Sequence, residues 1–240
     1  MDDRQIQQNF HKFAEYFGFS YSELVNLLSI SNAFIAGNVA LNAFIQTELF
    51  NELNLDIFVH KPNEILISIL KSKGYEYIEN ASNDLIPLNK EINSIMAYQS
   101  QKTGFTTKTI QIITIADCSI DDFLKSFSLN ICKLAIISSP YKLHIYMDHL
   151  TYQEICEITG KRMYISKLVK PTNRFDQIDQ FEKIEKQIKK YINHGFILTK
   201  RYDKTELSHM PWPTKIGNYL YDAYNNEVLT YEEFIKNEYK

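Results

Sequence analysis

The stretch from Ala33 to Val59 constrains this chain of 240 residues more than any other. A short apolar run, Ala33-Phe34-Ile35-Ala36, stops at Gly37-Asn38. Residues from Val39 to Phe50 then place Leu41, Phe44, Ile45 and Leu49 on one helical stripe. Leu53 to Val59 (LNLDIFV) returns as a strand, rich in branched and aromatic side chains. A strand that ends at a glycine, turns into a helix and comes back as a strand must lay that helix on a sheet.

The flanking patterns agree. Ile6, Phe10, Phe13 and Phe17 recur at helical spacing, with Gly18 as the stop. A second helix carrying Leu24, Leu27 and Leu28 follows Ser20 or Ser22. Pro62 suits the first turn of a helix whose last turn holds Lys71 and Lys73 before Gly74, and Tyr75 to Glu79 alternate as a strand. Residues 92–116 predict a β-hairpin, because Gly104 separates two apolar runs and KTIQIITI is rich in β-branched residues. Ile120 to Phe127 predicts a short helix, Leu129 to Leu134 a strand by its alternation, and Lys142 to Met147 another.

Thr151 to Glu154 has capping-box spacing for a helix ending at Gly160. Asp176 opens the longest helix, striped by Ile178, Phe181, Ile184, Ile188 and Tyr191 and closed by Asn193-His194-Gly195. The tail after Pro211-Trp212-Pro213 reads as turn-rich, with a short acidic helix at its end. The expected architecture is α+β, with N-terminal helices over 1–32, a mixed sheet flanked by helices over 33–148 and a mainly helical region over 149–240.

Composition removes several alternatives. At 45% hydrophobic and 23% charged, the chain has ordinary globular proportions, not those of a disordered or collagen-like protein. Its three cysteines (Cys118, Cys132 and Cys156) are odd in number and far apart, which suits reduced thiols in a cytoplasmic compartment and not a disulfide scaffold. No run approaches the ~18 apolar residues of a membrane helix, and the opening MDDRQIQQNF is polar, so no membrane association is expected. GxSxG, HExxH and P-loop motifs are missing. His144 and His149 bracket Asp148 without the further ligands a zinc site requires.

The net charge of -3 argues against gross nucleic-acid affinity, but its distribution is uneven. Residues 1–100 hold 6 basic and 12 acidic side chains, whereas 161–204 hold 12 basic and 5 acidic. Lys161, Arg162, Lys186, Lys189 and Lys190 are therefore candidates for contact with a nucleic acid or an acidic protein partner. The alternative is a solvated helix face balanced by the acidic N-terminal half. Thr151 to Gly160, followed by Lys161-Arg162 and a second helix, would form a helix-turn-helix.

The stretch from Phe34 to Val59 also carries the clearest chemistry. A helix that starts at a glycine turn presents free N–H groups and a positive end, a seat for phosphates. Acids at alternate strand positions point to one face, where they hold divalent metal. These features resemble the DNA polymerase β-like nucleotidyltransferase superfamily over roughly residues 33–135, in which a Gly-Gly or Gly-Ser turn and a helix precede Asp-x-Asp/Glu on a strand, with a third carboxylate on a later one. The resemblance implies Gly37 and Asn38 as nucleotide-binding residues, Asp56 as metal ligand and catalytic candidate, and Mg²⁺ with a nucleoside triphosphate as cofactors.

The departures are as specific as the match. Asn54 stands at the first carboxylate position and Ser128, in Phe127-Ser128-Leu129, at the third, so Asp56 is the one acid left of three. An amide brings no charge to offset a dication, and two-metal phosphoryl transfer depends on concentrated negative charge. The expectation is a catalytically impaired nucleotidyltransferase-like protein acting as a nucleotide-binding or interaction module. One alternative is an active metal-dependent enzyme using Asp56 with a second acid drawn from Asp117, Asp121 or Asp122. The other is a nucleic-acid-binding accessory protein using the Lys-rich region 161–204. The layout, with Lys190, Tyr191, Gly195 and Phe196 in its late helix, is also similar to uncharacterised proteins of large DNA viruses, which implies a viral protein in the host cytoplasm.

Overall fold

Hydrophobic periodicity is realised as an α+β architecture in a computed structural model describing residues 3–45, 54–61, 63–78, 91–100, 108–166, 174–199, 214–216, 219–222 and 227–230. The elements through the first half run α1 (Asp3–Tyr16), α2 (Tyr21–Ser31), β1 (Phe34–Ala36), α3 (Asn38–Ile45), β2 (Asn54–Val59), α4 (Glu64–Ser72) and β3 (Tyr75–Ile78). They continue as β4 (Ile92–Ser100), β5 (Thr109–Ile115), α5 (Ile120–Lys125), β6 (Ala135–Ser139), β7 (Lys142–Tyr146), α6 (Tyr152–Thr159), β8 (Arg162–Met163), α7 (Arg174–Asn193) and β9 (Ile197–Leu198). Three further strands, β10 (Thr214–Ile216), β11 (Tyr219–Asp222) and β12 (Glu227–Thr230), pair antiparallel in the segment expected to be turn-rich. The acidic helix expected after them lies outside the described residues, as do Leu49, Pro62 and Gly104.

Seven strands form one mixed sheet in the order β3-β4-β5-β2-β1-β6-β7. Its central pair, β2 and β5, is parallel; the other neighbours are antiparallel. The period-two alternation of β2 divides its side chains between two layers. Leu55, Ile57 and Val59 join Ile110 and Ile112 of β5 in a core that takes in Phe10 and Phe13 of α1, Leu24 and Leu28 of α2 and Leu41 of α3. Phe58 faces the other side, with Phe34, Ile113, Ile115 and the α5 residues Phe123 and Leu124. There Phe58 meets the Phe34 ring at 5.3 Å and the Phe123 ring at 4.9 Å, separations typical of favourable aromatic pairs.

Local signals fix the helix starts. Ser20 and Thr151 each complete a capping box, with Glu23 and Glu154 as the returning acids, an arrangement worth about 1 kcal/mol per cap. Two expectations are corrected. Leu129 to Leu134 is not a strand: Leu129 makes a single bridge to Ile165, and Asn130–Cys132 form a 3₁₀ turn. The buried Asn130 explains why, since its backbone N–H donates to Tyr164 O at 3.2 Å and its side-chain oxygen accepts from Tyr164 N at 2.7 Å. A side chain that bonds neighbouring backbone this way competes with regular ladder pairing.

The second correction concerns the helix-turn-helix. After Gly160 the chain passes through Lys161 at φ 53 and enters β8, which pairs in parallel with β9, so a strand stands where the recognition helix was expected. No described helix is long and apolar enough to cross a membrane.

Candidate functional site

Gly37 leaves β1 at φ +75, a conformation that costs L side chains about 1–2 kcal/mol, and its carbonyl accepts the N–H of Leu41 as α3 begins. The turn opens into a cleft of about 80 Å³ lined by Gly37, Asn38 and Asp56, with Ser128 and Cys132 from the segment before β6 and Lys190 and Tyr191 from α7. Phe58, Phe127 and Leu129 supply its apolar wall. Gly37 faces Asp56 directly, since a Cβ built on it would lie 4.0 Å from Oδ2.

Asp56 is the charged centre of this cleft. Burial in low-dielectric surroundings pushes its carboxyl up to about 7, and the nearby Lys190 ammonium pulls the other way. Their interaction is charge across the cleft and not a hydrogen bond. Oδ1 of Asp56 and Oγ of Ser128 are both buried without a hydrogen-bond partner among the described residues. A buried polar atom left in that state costs about 1–3 kcal/mol unless solvent or a ligand reaches it. A cleft of about 80 Å³ is small beside the roughly 300–1,000 Å³ of pockets that hold whole ligands of nucleotide size.

The last turns of α7 close the cleft, and the local sequence dictates how. Gly195 adopts φ +83, its N–H reaches Ile192 O, and the N–H of Phe196 reaches Tyr191 O. This is the paired bonding of a Schellman ending, completed by contact of the Tyr191 and Phe196 rings at 5.4 Å. With the helix end fixed, the Tyr191 hydroxyl donates to Asn38 Oδ1 and lies 3.2 Å from Cys132 Sγ. Since the tyrosine proton goes to Asn38, the thiol donates to the tyrosine oxygen. Burial raises the Cys132 thiol to about 11 and the Tyr191 hydroxyl well above its ordinary value, so both remain protonated and uncharged at neutral pH.

The expected site residues divide into two groups. Gly37, Asn38, Asp56 and Ser128, which lie far apart in sequence, converge on the cleft. Asn54, one step along the same face of β2, is exposed and does not line it. Lys190 is a cleft residue, whereas Lys189 pairs with Glu185 at 3.0 Å and Arg162 and Lys186 are exposed. Lys161 lies beside the α7 terminus, its Nζ 3.8 Å from where a Gly195 Cβ would stand. No protein-family model matches this chain, and no curated protein matches it.

The acids considered as replacements sit elsewhere. Asp56 pairs in register with Gln111, while Asp117 follows the far end of β5, beyond the Val59 and Thr114 pair. Ser119 caps α5, its hydroxyl accepting from Asp122 N and donating to Asp122 Oδ2, and Asp121 accepts a 2.6 Å bond from the Tyr146 hydroxyl. Gln111 was not singled out from the sequence. It occupies the position level with Asp56 on the adjoining parallel strand, it is buried, and it too is an amide. The alternation of KTIQIITI held the signal, because Gln111 is the one amide there and stands between two isoleucines.

This donor set does not suit a pair of divalent cations. Magnesium is held through one or two carboxylates with phosphate and water. The cleft offers one carboxylate, the hydroxyls of Ser128 and Tyr191, the amides of Asn38 and Gln187, the Cys132 thiol and a lysine ammonium that opposes a second positive charge. Among the described residues, no group of three or more His, Cys, Asp or Glu side chains could hold a metal ion.

Proposed function

We propose that this protein is a catalytically impaired, nucleotidyltransferase-like module that works by binding, through its glycine-turn cleft, and not by phosphoryl transfer. The observation carrying this reading is that the strand–glycine–helix–strand unit gathers Gly37, Asn38 and Asp56 in one cleft while a lysine, not a second acid, shares it with the carboxylate. The α3 N-terminus and the Lys190 ammonium favour an anionic group of phosphate size. Because Tyr191 and Gln187 narrow the cleft, a whole nucleotide would enter only with movement of α7.

A thermal-shift screen of nucleotides, with and without Mg²⁺, tests the binding half, since a ligand of the folded state raises its apparent stability. A shift that Lys190→Met removes is the expected result; no shift with any nucleotide leaves the fold as an interaction scaffold. Labelled nucleoside triphosphates with Mg²⁺ or Mn²⁺ test the other half, and transfer of label to protein or RNA would overturn the impaired reading. One observation favours that active alternative: a carboxyl held near 7 lies in the range suited to a general base.

A further inference from the structure

We propose that the Lys190 ammonium is a tethered cation serving, from across the cleft, as the counter-charge of Asp56, so that α7 supplies from within the chain the positive charge a metal ion would otherwise bring. The inference rests on the impaired reading above and deepens it by naming the source of that charge. Asp56 Oδ1 is buried and without a hydrogen-bond partner, and Lys190 is the cation lining the same cleft. Lys190 is not placed there by chance rotation of a mobile surface helix. Gln187, Lys190 and Tyr191 fall at i, i+3 and i+4, one face of α7, and all three line the cleft. Ile184, Ile188 and Tyr191 bury the adjoining stripe in the main core, and Tyr191 bonds Asn38 at the glycine turn itself.

The chemistry is that of charge compensation. A carboxylate withdrawn from water requires a positive partner, and a lysine on a docked helix supplies one without binding an ion from solution. An ammonium carries one charge and three donors, enough to neutralise a single carboxylate. It cannot bridge attacking and leaving oxygens as two dications do, which accounts for a glycine turn kept beside a seat unfit for transfer.

The test is a double-mutant cycle at pH 8 on the full chain, using Lys190→Met, Asp56→Asn and both together, read as melting temperature with and without Mg²⁺. Lys190→Met is expected to lower the melting temperature of the wild-type chain by several degrees and to leave the Asp56→Asn background unchanged. Added Mg²⁺ should restore part of that loss in Lys190→Met alone, because a free ion can take the vacated place only where the carboxylate remains. Additive effects of the two substitutions, or a Lys190→Met protein indifferent to Mg²⁺, would overturn the proposal. If Lys190→Met does not fold, Lys190→Gln is read the same way. Label transfer by the wild-type protein would sink the impaired reading whatever the cycle shows, and an additive cycle without transfer would sink this inference alone.

Discussion

Two aspartates on the same side of the sheet have opposite surroundings. Asp121, at the start of α5, accepts a 2.6 Å hydrogen bond from Tyr146, and the ring of His149 stands 3.7 Å away. Asp56, in the middle of the central strand, has an Oδ1 atom buried without such a partner and only the charge of Lys190 across the cleft. The first arrangement is what folding alone would favour, because donors compensate for lost water. The second stores free energy in a carboxylate that Lys190 compensates only in part, and that kind of local cost is found where a site binds something. The contrast separates a structural acid from a site acid without reference to any relative.

The largest expected effect comes from removing the charge at Asp56. Its folded pKa is raised from 3.8 to about 7, so the folded chain holds a proton that the unfolded chain has released between those values. Stability tied to this group is therefore present below about pH 4 and lost as pH rises through 7. Asp56→Asn should leave the protein about 2–4 kcal/mol more stable than wild type at pH 8, with the gap shrinking by more than half at pH 5. Urea unfolding at the two pH values measures it. A variant less stable than wild type at pH 8 would mean that the ionised carboxylate is well compensated, and the contrast with Asp121 would collapse.

The same contrast shows what could be read from residues alone. The order of elements through β3 follows from period and punctuation: glycines at 18, 37 and 74 and the Ser20 cap stand where the helices start or stop. Convergence of Gly37, Asp56 and Ser128 was expected from the superfamily resemblance and not from apolar patterning, and the segment after Ser128 is a turn where a strand was expected. The strand expected over Leu129 to Leu134 failed because one buried amide, Asn130, redirected the backbone toward Tyr164. Lys190 was read as part of a basic surface because charge counting carries no information about which face of α7 docks. Burial of Ile184, Ile188 and Tyr191 in the main core decides that, and it is a matter of tertiary packing.

A smaller effect should mark the compensated acid. Tyr146→Phe removes the hydroxyl that Asp121 accepts from and changes little else in shape. Hydrogen bonds to charged groups contribute about 1.5–3 kcal/mol when well buried, so at this half-exposed position a loss of roughly 1–2 kcal/mol is expected. Denaturant midpoints at pH 7 check it, with an unchanged slope to show that the denatured state is the same. If the substitution is neutral, Asp121 is no better supported than Asp56, and the distinction between them rests on burial alone.

The weakest expected effect is also the most specific in sign. His149 has a side chain only 1% exposed, with both ring nitrogens buried and without a hydrogen-bond partner among the described residues. Burial holds its pKa below 6.5; Asp121 and Glu154 raise it in part, and Lys133 and Lys125 lower it further. The neutral imidazole is thus the folded form, and the unfolded chain binds a proton first on acidification. Stability from this group is present above 6.5 and lost as pH falls toward the lowered folded value, the reverse of the slope at Asp56. The two windows overlap below 6.5, so in wild type the opposed slopes offset each other. His149→Gln should expose the Asp56 slope, with stability rising as pH falls from 7 to 5, and Asp56→Asn should expose the His149 slope, with stability falling below 6.5. Stability profiles from pH 5 to 8 for the three proteins resolve the two slopes. If either substitution leaves the other group's slope hidden, the two polar clusters are coupled through the Phe34, Phe58 and Phe123 layer and cannot be treated as independent sites.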